Sequence, residues 1–112
     1  MSEIEVAVVL VTGPDAELER LAERVVDERL AACANLIPGV RSVYRWEGKL
    51  ARDDEAMAVL KTTRAGLPAL RARVLELHPY DVPEVLALPV ELGSDSYVRW
   101  IGDCVRDLEA NP

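Results

Sequence analysis

RLAACANLIPGVRSVYRWEGKL, running from Arg29 to Leu50, holds the end of a helix, a long strand and a chain reversal. The helix is predicted to close at about Ala31. A strand from Ala32 to Trp46 follows, interrupted by Pro38-Gly39, because proline donates no ladder hydrogen bond and glycine commonly marks a bend or bulge. Glu47-Gly48-Lys49 then reverses the chain into a second strand, in which Ala56, Ala58, Leu60 and Thr62 alternate with Met57, Val59, Lys61 and Thr63. Both faces of this hairpin are partly apolar. In so short a chain helices can cover only one of them, so the other face needs cover from elsewhere, most simply from another copy of the chain.

Working outward, Val6 to Val11 is a continuous apolar run rich in β-branched valine and bounded by Thr12-Gly13-Pro14-Asp15, the pattern of a central strand buried on both faces. Asp15 opens the first helix, either as its N-cap or as an acid near the positive end. Leu18, Leu21, Ala22, Val25 and Val26 form its apolar stripe. Pro68 suits a first helical turn, and Leu67, Leu70, Val74 and Leu77 recur at helical spacing up to His78-Pro79. Val85 to Val90 reads as a short strand, with Pro89 placing it at a sheet edge or bulge. Ser94 or Ser96 caps a third helix with the stripe Tyr97, Ile101, Cys104, Val105 and Leu108, and Ala110-Asn111-Pro112 reads as loose tail. The order βαββαβ with an added C-terminal helix is the α+β, ferredoxin-like arrangement, an antiparallel sheet with helices on one face. Residues 1–112 read as one domain.

Composition bounds the partners. A formal net charge of −7 repels phosphate backbones and anionic membrane surfaces, so neither nucleic acid nor membrane is an expected partner. The opening Met1-Ser2-Glu3-Ile4-Glu5 carries acids where a secretory signal carries positive charge, and Val6 to Val11 is too short to span a bilayer. A cytoplasmic location is expected. Cys33 and Cys104 have no metal-ligand spacing and read as reduced packing residues, with a structural disulfide as the alternative.

The order and spelling of Arg29 to Asn35, Tyr44-x-Trp46-Glu47-Gly48-Lys49, Lys61-Thr62-Thr63 and His78-Pro79-Tyr80-x-x-Pro83-Glu84 resemble the CutA family, and the likeness extends from about Val8 to Val105. That resemblance implies a cytoplasmic homotrimer of ferredoxin-like subunits, akin in architecture to PII signalling proteins, with a role in divalent-cation tolerance and no catalysis. It also implies copper binding through a cysteine at the end of the first strand and histidines before the Pro-Tyr pair. Here the corresponding positions are Val11 and Leu77, so only His78 remains as a metal candidate and no cofactor is certain, with copper the divalent metal in question.

His78 is the sole histidine and the one side chain that ordinarily titrates near neutrality, yet a histidine at a helix end is also explained by the helix dipole. Tyr44, Trp46, Glu55, Lys61, Tyr80 and Glu84 form the candidate ligand-binding set. Tyr44 and Trp46 share a strand face, and Lys61 and Glu55 supply charge, in clefts that the resemblance places between subunits. The competing readings are a structural or partner-docking trimer, in which these residues only pack, and a hydrolase using His78 as base. The latter needs a nucleophile or water within hydrogen-bond reach.

Overall fold

In the computed structural model, which describes residues 4–105, the chain runs β1 (Val6–Gly13), α1 (Asp15–Asp27), β2 (Cys33–Trp46), β3 (Lys49–Thr63), α2 (Leu67–Leu77), β4 (Val85–Pro89) and α3 (Asp95–Cys104). The sheet order is β2-β3-β1-β4, and every neighbouring pair is antiparallel. This is the expected ferredoxin-like arrangement with its additional helix. Pro89 does lie on an edge strand.

The period-two pattern of β3 sets the two faces apart. Ala56, Ala58 and Leu60 are fully buried beneath α1 and α2, in a core with Val9, Val11, Leu18, Val25, Leu70 and Val74. Their neighbours Glu55, Met57, Val59, Lys61 and Thr63 remain partly exposed on the other face. Thr62 shares the buried face because its hydroxyl donates to the Leu30 carbonyl at 2.8 Å. A smaller cluster of Val6, Ala32, Ile101 and Val105 seats α3 against the sheet.

Several boundaries differ from the sequence reading. Helix α1 stops at Asp27, short of Ala31. Arg29 adopts φ 62°, and its N–H bonds to the Val26 carbonyl while that of Leu30 bonds to Val25, a left-handed stop that leaves Leu30 and Ala31 buried but non-helical. The Arg29 guanidinium then donates to the carbonyls of Asp103 and Cys104 at 2.8 and 2.9 Å, closing the end of α3. Pro14, not Asp15, is the residue before α1, so Asp15 is a first-turn acid. Ser94 rather than Ser96 caps α3, accepting from the Tyr97 N–H. Cys33 and Cys104 are free thiols. Leu108 and Ala110-Asn111-Pro112 lie outside the described residues.

The reversal at the hairpin tip needs two residues, not three. Trp46 pairs with Lys49 across Glu47 and Gly48, which have φ 52° and 78°. The interruption at Pro38-Gly39 is a bulge: the register steps from Ile37↔Met57 to Val40↔Glu55, so β2 spends one more residue than β3. That extra residue inverts the side-chain parity of β2.

Candidate functional site

Because of the bulge, Val40, Ser42, Tyr44 and Trp46 project from the same face as Cys33, Asn35 and Ile37, the face opposite α1 and α2. Opposite them stand Glu55, Asp53, Ala51 and Lys49 in turn. The turn from α2 to β4 brings Tyr80, Asp81, Val82 and Glu84 against this part of the hairpin. Together they bound an open cleft of about 810 Å³.

Glu55 is the centre of the arrangement. Its two carboxylate oxygens accept from Ser42 Oγ at 2.5 Å and from Tyr80 Oη at 2.9 Å. Tyr44 Oη donates to Asp53, and Thr12 Oγ1 makes a long 3.4 Å contact with Glu84 Oε1. Burial, followed by the hydrogen bond and charge of Glu55, pushes the Tyr80 phenol up to about 12. The hydrogen bond to Asp53 likewise raises the Tyr44 phenol. Both phenols are therefore neutral donors at physiological pH.

The cleft is acidic. Asp53, Asp54, Glu55, Asp81 and Glu84 line it, and among the described residues none of them belongs to an ion pair. Trp46, Tyr44 and Tyr80 form its aromatic walls, with exposures of 53, 40 and 38%.

His78 sits at the back of this region rather than in it. Its ring is buried, Nδ1 accepts the Tyr80 N–H at 3.1 Å, and Nε2 lies 2.7 Å from the Thr12 carbonyl. Only the neutral tautomer with hydrogen on Nε2 satisfies both contacts, and it leaves no lone pair for a metal or a substrate proton. The ring stacks obliquely on Tyr80, with centroids 4.8 Å apart. Gly13 permits the approach, since a Cβ there would lie 3.0 Å from His78 Nε2. Among the described residues no group of three His, Cys, Asp or Glu side chains could hold a metal. The residues present do not fit a copper centre.

Of the sequence-based candidates, Tyr44, Trp46, Glu55, Tyr80 and Glu84 come together and Lys61 does not. Lys61 shares the face of Glu55 but lies six residues along β3, roughly 20 Å away at about 3.3 Å per residue. It pairs with Cys33, and its ammonium contacts Asn35 Oδ1 and, at 3.7 Å, Cys33 Sγ. The motif Lys61-Thr62-Thr63 is structural at its second and third positions, where Thr63 Oγ1 accepts the Gly66 N–H at 3.0 Å and so fixes the entry to α2. Ser42, Asp53, Asp54 and Thr12 are cleft residues absent from that candidate set. Counting from a two-residue turn would have placed Ser42 and Asp53 beside Tyr44.

A ferredoxin-like sheet whose overhanging hairpin and α2–β4 turn bound an open polar cleft defines a small α+β module. Residues 7–104 match the family described as CutA1 divalent ion tolerance protein, and the chain belongs to that family. It is 47% identical over 95 residues to the divalent-cation tolerance protein CutA of Thermus thermophilus, covering 84% of this chain and 92% of that protein. The chloroplastic protein CutA of Arabidopsis thaliana is 46% identical over 101 residues, which are 89% of this chain and 56% of the plant protein. The crystal structure of CutA1 from Oryza sativa has a TM-score of 0.90 to this fold at 43% identity, covering 93% of this chain and 96% of that one. Among the described residues no helix is long and apolar enough to cross a membrane.

Proposed function

We propose that this divalent-cation tolerance family member is a non-catalytic, homotrimeric binding protein of the cytoplasm, in which the Glu55 cleft receives a cationic ligand. The observation that carries this reading is the unneutralised charge of the cleft. The acids Asp53, Glu55, Asp81 and Glu84 line one open volume without an ion-pair partner among the described residues, an arrangement that raises the local concentration of cations. Assembly is supported by the sheet face opposite α1 and α2, of which α3 covers only the Val6 end, and where Leu86, Leu10 and Val59 stand in one row and Met57 and Ile37 in another. Leu86, Leu88 and Ile37 are 58, 50 and 46% exposed there. Such a contiguous apolar surface is typical of an interaction site.

In this reading His78 braces the Thr12 and Tyr80 backbones and is neither general base nor copper ligand. Calorimetric titration of untagged protein with copper tests it. Weak binding, suppressed by moderate salt and reduced by Asp81→Asn, is expected from carboxylates alone. Tight, stoichiometric uptake that survives both Asp81→Asn and His78→Ala would place the cation site elsewhere and sink the reading.

A further inference from the structure

We infer that the Glu55 cleft is selective for a small organic cation, an ammonium or guanidinium compound, over metal ions. This rests on the cleft being a cation site and adds the class of cation. Three features point the same way.

The first is size. A volume of about 810 Å³ lies in the range of small-molecule pockets, roughly 300 to 1,000 Å³, and is far more than a bare ion fills. The second is the state of the oxygens. A metal ion needs several lone pairs converging at about 2.0 to 2.6 Å, whereas both oxygens of Glu55 and one each of Asp53 and Glu84 already accept hydroxyl hydrogens. Among the described residues no three acidic or soft side chains converge in metal-holding geometry. An organic cation asks less, since its N–H groups bond to a carboxylate's remaining lone pairs without displacing the hydroxyls.

The third is the walls. Trp46, Tyr44 and Tyr80 expose ring surface beside the carboxylates, and an aromatic face attracts an organic cation through its quadrupole while also covering the cation's apolar stem. To a hydrated metal ion such rings offer no ligand. On the cleft's own face the register puts Lys49 opposite Trp46 at the hairpin tip, Arg41 stands opposite Asp54 on the other face, and among the described residues neither forms an ion pair with the cleft carboxylates.

The test uses the full chain carrying Trp100→Phe, which leaves Trp46 as the single indole reporter of two in the sequence. Agmatine, neutral 1,4-butanediol and manganese ion are titrated separately at low ionic strength, following indole fluorescence and heat. Agmatine is expected to saturate at a lower concentration than manganese, with butanediol silent. Asp81→Asn, on an exposed turn, should weaken agmatine about two- to fivefold, the range for one exposed charge pair. Trp46→Leu, read by heat, should weaken it by a similar factor, the range for an exposed cation–aromatic contact.

Manganese binding ahead of agmatine, with the same loss in Asp81→Asn, would overturn the selectivity and leave the cation-site reading standing. If neither cation binds, both fall. Equal response to agmatine and butanediol would overturn the role of charge, and circular dichroism of each variant separates lost binding from lost fold.

Discussion

Glu55 joins two parts of the chain that are far apart in sequence, because Ser42 and Tyr80 both donate to it. The consequence appears in Tyr80, whose phenol is pushed up to about 12 by burial first and by Glu55 next. A phenol whose folded pKa exceeds its unfolded value, about 10, gives stability that is fully present below pH 10 and lost as pH rises toward 12. Glu55→Gln removes the charge but keeps an acceptor, so the Tyr80 ring signals in an NMR titration should show their midpoint moving down toward 10. An unmoved midpoint would mean that Glu55 does not govern the phenol. His78 shows the limit of reading single residues from sequence: its position before proline was plain, but the Thr12 carbonyl that fixes its tautomer lies 66 residues away.

At the level of elements, the bulge in β2 decides which side chains reach the cleft. Gly39 has φ +74°, and a Cβ built on it meets nothing within 4 Å, so Gly39→Ala carries a backbone penalty without a clash. The expected loss is about 1 to 2 kcal/mol in denaturant unfolding, with Gly39→Asn less costly because asparagine tolerates the left-handed region. A neutral Gly39→Ala would show that the bulge relaxes freely. The strands, α2 and the bulge were legible from period and from Pro-Gly chemistry. The end of α1 was not, since Leu30 and Ala31 continue an apolar pattern that a left-handed Arg29 takes out of the helix. Lys61 was misplaced for a related reason: it shares a face with Glu55, but without the register a sequence gives the face and not the distance along it.

The contact between α1 and α2 yields a further prediction. Arg73 donates to both oxygens of Glu28, at 2.9 and 3.0 Å, and this pairing lowers the Glu28 carboxyl and raises Arg73. A depressed carboxylate contributes stability that is present above its unfolded pKa, about 4.3, and lost as pH falls through its folded value. Glu28→Gln should therefore flatten the acid limb of the stability curve below about pH 4.3. An identical acid limb would show that the pair contributes nothing.

At the scale of the whole molecule, the described chain measures 49 × 30 × 23 Å, with α1 and α2 on one face of the sheet and, on the other, α3 at the Val6 end beside open apolar side chains. Trp46 is 53% exposed in the single chain, so any large cost of Trp46→Ala must come from enclosure by another copy. The expectation of a partner comes from the sequence, where both faces of the 40 to 63 hairpin are partly apolar and helices can cover only one. The acidity of the cleft was not legible there, because Asp53, Asp81 and Glu84 meet only in the fold. Covering the apolar face opposite α1 and α2 with further copies is the central claim. Sedimentation equilibrium at micromolar concentration tests it most directly: a trimer that persists on dilution is the predicted result, and a monomer as the main species would contradict the account.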